Sequence, residues 1–393
     1  MRKNTLALAL IMVMLVGCTS ASSTTIQEVA TEPTYENITQ NKTETATTEA
    51  VTEEATTEVV TEEVTTEAVT EEATTEQITE AVTGETVVND SFDEWGSDSG
   101  YVLTFVGDCT LGTMPKWMSH SGCFNRLIGD KYDLPFQYVR KFFEADDCTF
   151  INLESVLAES GVPENKTFTF MGPTAYVNIL TGSSVEFANL SNNHSYDFGE
   201  AGYISTKNTL DNNGVAYVEA KKSTLYTTES GLVIGVYGVY FDLDYEDMLA
   251  DVNVLKEAGA EIIVAAAHWG IEGDLIHNEK QTTMAHQLID AGVDIVWGHH
   301  PHVLQPIEKY KGGIIYYSTG NFSFGGNHNP GDRDTVVLQQ KIERDGNGKA
   351  ILGELRVIPC AISSVSAYNN FQPIEYAKDS ESYKRVLSKI KYK

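Results

Sequence analysis

Short apolar stretches alternate with amphipathic stretches through most of the chain. The apolar stretches predict strands at 101–106, 148–152, 185–190, 232–237, 262–268 and 293–297. The amphipathic stretches between them predict helices at 134–145, 200–212, 245–258 and 279–291. Continuous apolar strands separated by helices are typical of a layered α/β fold, in which helices flank central sheets of buried strands.

The pattern changes toward the C-terminus, where predicted strands follow one another without helices. These strands lie at 314–318, 335–342 and 350–358. The turn Asp345-Gly346-Asn347-Gly348, between the last two, has the residues typical of a β-hairpin. We therefore expect the C-terminal strands to be antiparallel.

The first residues have the composition of a secretory signal. Arg2 and Lys3 precede an apolar run over 6–16, which is short for a membrane span, and small residues lead up to Cys18. Residues 1–18 resemble a bacterial lipoprotein signal peptide, in which Cys18 carries the lipid. The alternative is an ordinary signal peptide with an incidental cysteine. Lipidation predicts an extracytoplasmic protein that is lipid-anchored to the bacterial cell membrane.

Residues 19–98 predict a disordered linker that is rich in threonine and glutamate. Over 51–77 the chain repeats the nine-residue units VTEEATTEV, VTEEVTTEA and VTEEATTEQ. These units supply no apolar side chain larger than valine, and their glutamates recur too densely to be buried. A charged, self-repelling linker is therefore expected between the membrane and a folded domain over 99–393.

The linker also explains most of the net charge of −29. Residues 19–98 contain 20 acidic residues and one lysine, which leaves residues 99–393 with a net charge of −12. A moderately acidic domain argues against broad electrostatic binding of nucleic acid. A bound anion would need metal ions or a local basic patch.

Four further cysteines fall within the predicted domain, at Cys109, Cys123, Cys148 and Cys360. An even number in an exported domain permits one or two disulfides. The chain has no CxxC pair, which argues against a thiolate zinc site.

Polar residues that can bind metal follow the predicted strands where each strand ends. In open α/β sheets, functional sites assemble at this edge. The candidate residues, in chain order, are Asp108, Glu154, Asn192, Asn193, His194, His268, His299, His300 and His302. Scattered surface histidines would have no reason to fall there, so the pattern predicts one site.

The last three of these histidines stand in the segment Gly298-His299-His300-Pro301-His302, which holds three of the nine histidines in the chain. His300 and His302 are two positions apart, so in an extended segment both rings point to one side, as two imidazole ligands require. Because successive side chains of an extended segment point to opposite sides, His299 points away from His300 and His302. A supporting role for His299 is as well founded as direct metal binding.

Two acids, an asparagine and several imidazoles suit manganese, iron or zinc better than calcium or magnesium. Two such ions, about 4 Å apart, can activate a water and hold both oxygens of an in-line phosphoryl displacement. We therefore expect two divalent ions. The predicted ligands are Asp108, Glu154, Asn193, His268, His300 and His302. His194 is placed to protonate a leaving group, and Asp197 to orient its ring.

Six ordered motifs within about 101–325 resemble the CapA capsule-synthesis family. They are Val106-Gly107-Asp108, Asn152-Leu153-Glu154, Asn192-Asn193-His194, His268-Trp269-Gly270 with Glu272, Gly298-His299-His300-Pro301-His302 with Gln305-Pro306-Ile307-Glu308, and Gly320-Asn321-Phe322. The resemblance implies a calcineurin-like metallophosphoesterase fold and a role in poly-γ-glutamate capsule biosynthesis. It also implies that Asn192, Glu272 and Asn321 support the metal ligands or contact substrate, although Asn321 can instead serve only to shape a turn.

The chain departs from calcineurin-like phosphoesterases at two ligand positions. Their first motif is Asp-x-His, whereas Cys109 and Thr110 follow Asp108 here, so the first imidazole is missing. Their second motif is Gly-Asp, whereas this chain has Glu154. Within the capsule family, an aromatic residue commonly follows Glu272, and here Gly273 does. These departures predict that one metal position is weaker or empty, and membership by itself does not establish catalysis.

Three functions remain open from the sequence. The first is a metal-dependent hydrolase or transferase at the cell surface. The second is a non-catalytic assembly factor that binds poly-γ-glutamate or its membrane synthase subunits and uses the pocket only for binding. The third is a stalked adhesin, which explains the linker but leaves the metal-ligand pattern without a purpose.

Overall fold

The structure is a computed structural model that describes residues 100–391. The predicted signal peptide over 1–18, with Cys18, and the predicted linker over 19–98 lie outside these residues. Among the helices of the described part, none is long and apolar enough to cross a membrane.

The described residues form sixteen strands and seven α-helices, with short 3-10 turns at Pro115–Trp117 and Thr174–Tyr176. The strands are β1 (Gly100–Thr110), β2 (Cys148–Leu153), β3 (Val156–Leu157), β4 (Met171–Gly172), β5 (Phe187–Asn189), β6 (Ala216–Val218), β7 (Ser223–Thr227), β8 (Val233–Tyr240), β9 (Ile262–His268), β10 (Ile295–His299), β11 (Ile307–Tyr310), β12 (Gly313–Tyr316), β13 (Asn321–Phe324), β14 (Asp334–Arg344), β15 (Ala350–Ala361) and β16 (Ile374–Glu375). The helices are α1 (Phe124–Ile128), α2 (Arg140–Phe143), α3 (Val177–Thr181), α4 (Gly199–Asn212), α5 (Tyr245–Glu257), α6 (Glu279–Ala291) and α7 (Glu381–Ile390).

Two large sheets contain most of these strands. The first sheet has the order β16-β15-β14-β1-β2-β5-β6, and β13 pairs with the end of β1. The second has the order β11-β12-β10-β9-β8-β7. Strands β1, β2, β5 and β6 are parallel, as are β8, β9, β10 and β12. The carboxyl ends of the parallel strands therefore form one edge of each sheet.

Large aromatic side chains from both sheets pack between them. Phe105 and Phe150 of the first sheet contact Trp297 of the second, at ring centroid distances of 5.7 and 6.1 Å. On the outer faces, α4 covers the first sheet through Leu210, and α5 and α6 cover the second through buried side chains such as Val252. The result is a four-layer arrangement of helices, sheet, sheet and helices. The predicted layered α/β fold is confirmed.

Two predicted elements differ from the structure. The helix predicted over 134–145 is reduced to α2, and the residues before it form successive turns, closed by i→i−3 hydrogen bonds such as that from the N–H of Val139 to the carbonyl of Phe136 at 3.0 Å. The strand predicted over 314–318 was expected to be antiparallel, but β12 is parallel to β10 and antiparallel only to β11. The predicted hairpin between β14 and β15 is present.

The four cysteines of the predicted domain are all free and buried. Cys109 and Cys148 lie on neighbouring parallel strands, where their side chains pack as part of the core. Although the sequence permits disulfides, the described residues contain none.

Candidate metal centre

Asp108 lies within β1, two residues before its end, rather than beyond the strand as its sequence position predicts. At this point β1 changes partner from antiparallel β14 to parallel β13, and the backbone N–H of Asp108 donates to the carbonyl of Gly320 at 2.8 Å. The other side of β1 pairs with β2. Backbone pairing on both sides therefore fixes the Asp108 carboxylate at the edge where the two sheets meet.

The two oxygens of Asp108 have different partners. Oδ1 accepts from the amide of Asn152 at 2.8 Å and lies 2.7 Å from Nδ1 of His299. Oδ2 lies 3.1 Å from Nδ1 of His302. His299 thus contacts a predicted ligand, in agreement with the supporting role that was one of its two predicted roles.

Glu154 directly follows β2 and joins Asp108 to the second sheet. Its Oε2 is 4.0 Å from Nδ1 of His302, and its Oε1 is 3.7 Å from Nε2 of His268, the last residue of β9. The ring of His268 is 4.8 Å from the ring of His300, measured between centroids. Glu154 and His268 are fully buried. Acids from the first sheet and imidazoles from the second are therefore brought together.

The backbone after β10 is not extended, although the sequence argument assumed that it is. His300 and His302 have φ angles of +93° and +57°, in the left-handed region that non-glycine residues rarely adopt. The two rings nevertheless lie close together, with centroids 6.0 Å apart. The prediction that they share a side is confirmed by position, but alternation along a strand is the wrong reason.

His194 and Asp197 form a hydrogen-bonded pair beside this cluster. Nδ1 of His194 is 2.8 Å from Oδ2 of Asp197, which also accepts from the backbone N–H of Phe170 at 2.6 Å. Lys166 forms an ion pair with the other oxygen of Asp197 and donates to the carbonyl of Asn193 at 2.6 Å. Asp197 is completely buried. The pair holds the ring of His194 with Nε2 free of Asp197.

The two asparagines before His194 have different surroundings. Asn192 is buried, and its Oδ1 accepts from the backbone N–H of His194 at 3.0 Å. The Oδ1 atom of Asn193 is buried and has no hydrogen-bond partner. Asn192 therefore shapes the turn, whereas Asn193 retains a free amide oxygen, as a metal ligand does.

A cavity of about 400 Å³ opens above these residues. His194, His302, Glu272 and Asn321 line it together with aromatic side chains. Oδ1 of Asn321 is 2.9 Å from Nδ1 of His302, so Asn321 contacts a predicted ligand as well as the cavity. A donor atom of Glu272 lies within 4.8 Å of donor atoms of His300 and His302. Both residues therefore stand where ligand support and substrate contact are possible.

Burial and charge perturb the acids in opposite directions. Burial opposes ionisation of Asp108, but hydrogen bonds and positive charge from His299 and His302 outweigh it and hold its pKa well below the ordinary value. Burial and the charge of Asp108 raise the pKa of Glu154 well above its ordinary value. Such a difference between neighbouring carboxyl groups is typical of functional sites.

The imidazoles are perturbed as well. Burial and the neighbouring His302 lower the pKa of His300 to about 4. Burial, together with His300, lowers the pKa of His268 well below its ordinary value. Burial also lowers the pKa of His302, but Glu154 and Asp108 outweigh it and raise this pKa to about 9. His268 and His300 are therefore neutral near pH 7, the state in which imidazole binds metal.

A metal centre fits these residues because their inward-facing atoms lack hydrogen bonds. Buried polar groups are normally satisfied, so a cluster of unsatisfied ones calls for an explanation such as an ion. The unpartnered buried atoms are Oδ2 of Asp108, both carboxylate oxygens of Glu154, Oδ1 of Asn193, both ring nitrogens of His268, Nε2 of His299 and Nδ1 of His300. Mixed oxygen and nitrogen donors of this kind suit a divalent transition metal.

Three contacts in the site were missed at the sequence level. Asn152 is the first residue of the motif Asn152-Leu153-Glu154, but the spacing of this motif does not indicate the hydrogen bond from Asn152 to Asp108. Lys166 stands in a loop without periodicity. Phe241 has a φ of +55° and packs its ring 4.8 Å from that of His300. All three contacts join residues that are distant in the sequence, and no local pattern could have found them.

Comparison with known proteins identifies the family. A family model described as bacterial capsule synthesis protein PGA_cap matches residues 102–239 and 219–326, which include every predicted metal ligand. The chain belongs to this family. The expected membership of the CapA capsule-synthesis family is thereby confirmed.

Relatives with names that refer to capsule synthesis are 28–30% identical to this chain over about three quarters of its length. The PGA biosynthesis protein CapA of Bacillus subtilis is 30% identical over 75% of this chain and 78% of its own length. The capsule biosynthesis protein CapA of Bacillus anthracis is 28% identical over 73% of this chain and 72% of its own. Among solved structures, NAD nucleotidase of Haemophilus influenzae aligns with a TM-score of 0.37 and 13% identity, over 74% of this chain and 62% of that enzyme.

Proposed function

We propose that this chain acts in poly-γ-glutamate capsule formation and that its site binds two divalent metal ions to support hydrolysis. The observation that carries the proposal is the buried cluster of unpartnered donor atoms from Asp108, Glu154, His268 and His300. The names of the relatives, PGA biosynthesis and capsule biosynthesis proteins, support the capsule role. Manganese, iron and zinc match the donor set.

Two groups of ligands favour two ions. The donor atoms of Asp108, Glu154 and His302 lie within 4.8 Å of one another, and so do those of Glu154, His268 and His300. Glu154 belongs to both groups and would therefore help to hold both ions. Asn193 contributes its free amide oxygen.

Bound divalent ions would supply positive charge against a developing negative charge and make nearby water more acidic. The protein's own contribution is orientation and proton transfer. Asp197 accepts from Nδ1 of His194, so the protonated form of the ring, which carries its second proton on Nε2, would donate that proton to a leaving group at the cavity and return to the neutral form. Lys166 and the backbone N–H of Phe170 hold Asp197 in place.

The proposal places the site outside the cell, on a protein that Cys18 links to the membrane. This part rests on the sequence of residues 1–18 and on the acidic linker over 19–98. Cells grown with radiolabelled palmitate should label the unchanged protein but not Cys18→Ser. Equal labelling of both proteins, or labelling of neither, would contradict a lipid anchor at this cysteine.

Metal analysis tests the site. The purified protein, dialysed against manganese or zinc and then against buffer, should retain about two ions per chain, as the two-metal sites of hydrolases do. His268→Ala should retain fewer. The matched control is His286→Ala, because His286 bonds to Glu308 outside the site. A metal-free unchanged protein would contradict the proposal.

A hydrolase and a non-catalytic assembly factor differ in a capsule assay. If the site is catalytic, a deletion strain that carries His194→Ala should form no surface poly-γ-glutamate, whereas His286→Ala should restore the polymer. If the protein only binds polymer or synthase subunits, both variants should restore it. Hydrolysis of phosphoesters and γ-glutamyl peptides by the purified protein would then identify the bond.

A further inference from the structure

Three buried asparagines form a continuous hydrogen-bonded set beneath the proposed metal centre. They are Asn152 at the end of β2, Asn189 at the end of β5, and Asn192 in the turn that follows. Asn152 and Asn189 are fully buried, and Asn192 is 5% exposed. Only Asn192 was predicted to support the site, so the other two have no assigned role.

The hydrogen bonds of Asn152 fix the orientation of its amide. Its Oδ1 accepts from Nδ2 of Asn189 at 3.0 Å and from Nδ2 of Asn192 at 3.1 Å. With the oxygen side occupied by two donors, its NH₂ group must face Asp108, where it donates to Oδ1 at 2.8 Å. A flipped amide would place oxygen against oxygen at Asp108 and NH₂ against NH₂ at both neighbours.

Asn192 extends the set to the turn that carries Asn193 and His194. Its Nδ2 also donates to the carbonyl of Leu153 at 3.0 Å, and its Oδ1 accepts from the backbone N–H of His194 and the hydroxyl of Ser195 at 3.0 and 3.1 Å. The orientation of one amide, Asn152, is therefore tied to both the first carboxylate ligand and the turn of the proton donor.

We propose that Asn152 is a positioning residue of the metal centre, which holds Oδ1 of Asp108 so that Oδ2 faces the ions. The inference rests on the proposed function, because it assumes that ions bind there. Asn152 and His299 together occupy Oδ1 of Asp108, which leaves Oδ2, 3.1 Å from Nδ1 of His302, as the oxygen available to the ligand group of Asp108, Glu154 and His302. Partners of this kind orient ligands and are worth about 10- to 100-fold in metal affinity.

Asn152→Asp is the sharpest test, because it keeps the shape and the acceptor oxygen but replaces the NH₂ group with an oxygen that repels Asp108. Titration calorimetry of the full-length protein with Mn²⁺ should show an affinity about 10- to 100-fold lower than that of the unchanged protein. Asn370→Asp is the matched control, because Asn370 is 9% exposed and bonds to Ser363 and Ser364 away from the site. It should bind Mn²⁺ like the unchanged protein.

Asn152→Ser keeps the test open if Asn152→Asp does not fold, because serine adds no charge yet is too short to reach Asp108. Weakened Mn²⁺ binding by a folded variant, with the control unaffected, supports the proposal. If the unchanged protein binds Mn²⁺ and a folded Asn152 variant binds it equally well, only the positioning role is overturned. If the unchanged protein binds neither Mn²⁺ nor Zn²⁺, the proposed function fails and the positioning role fails with it.

Discussion

The two sheets bring different chemistry to the same edge. The first sheet supplies Asp108 and the turn of His194, and both are held by hydrogen bonds from amide groups and backbone. The second supplies His268 and His300, whose buried ring nitrogens lack hydrogen bonds. Glu154 and Asn193 are exceptions on the first sheet, since neither oxygen of Glu154 nor the amide oxygen of Asn193 has a hydrogen-bond partner. One side is therefore mostly organised by hydrogen bonds within the protein, whereas the buried ring nitrogens of the other have no such partners.

The largest effect is expected from breaking the organised side. Asp108→Ala removes the partner of His299, His302 and Asn152 at once. Loss of one member of a buried charged pair costs about 3–5 kcal/mol, so the free energy of unfolding of the metal-free protein should fall by that amount. Urea unfolding in the presence of a chelator measures it. Unchanged stability would show that Asp108 is not held as described.

Addition of metal should have the next largest effect on the stability of the protein. This effect should need ligands from both sheets. If an ion binds only the folded state, a free ion concentration of 100 times the dissociation constant raises the free energy of unfolding by about 2.7 kcal/mol. Thermal unfolding with and without Mn²⁺ should show this gain for the unchanged protein. Asp108→Ala and His268→Leu should gain much less. A gain that is equal in all three proteins would place the bound ion elsewhere.

Removal of the His268 imidazole from the second sheet should raise the stability of the metal-free protein, whereas Asp108→Ala lowers it. His268→Leu replaces a fully buried ring, both of whose nitrogens are unpartnered, with an apolar side chain. Because an unsatisfied buried polar group costs about 1–3 kcal/mol, the metal-free variant should be more stable than the unchanged protein by up to that amount. Chelator-treated samples in urea provide the measurement. A less stable variant would mean that His268 is already satisfied without an ion.

The smallest effect on stability is expected at Glu219, a carboxylate outside the site whose oxygens have hydrogen-bond partners. Glu219 accepts from Tyr203, Lys207 and Lys222, and despite partial burial these contacts lower its pKa from 4.5 to about 2. The stabilisation is complete above pH 4.5 and is lost as the pH falls toward 2. Exposed ion pairs contribute less than about 1 kcal/mol. The stability difference between the unchanged protein and Glu219→Gln should therefore narrow below pH 4.5, and a constant difference would contradict it.

Much of the fold followed from local pattern, because buried parallel strands are continuous apolar runs and amphipathic helices show their period. The strands at 262–268 and the helix at 279–291 match β9 and α6 residue for residue. The candidate ligands could be grouped into one site because they lie at or just beyond the ends of strands. The helix predicted at 134–145 was wrong because apolar spacing does not distinguish an α-helix from successive turns closed by i→i−3 hydrogen bonds.

The rest of the site depends on contacts between distant residues. Asn152 and Asp108 are separated by 44 positions, and His299 and Asp108 by 191. The left-handed backbone at His300 and His302 comes from the path of the chain after β10, which no two-residue period describes. The candidate ligands were therefore readable from the sequence, but the hydrogen bonds around each of them were not.

The change of partner along β1 has a consequence for how an ion is received. The strand is paired with β2 on one side and with β14 and then β13 on the other, so the backbone at Asp108 has little freedom before any ion arrives. Fixing a backbone residue costs about 1–2 kcal/mol of conformational entropy. At Asp108 this entropy is lost when the chain folds, so binding of an ion would not have to supply it.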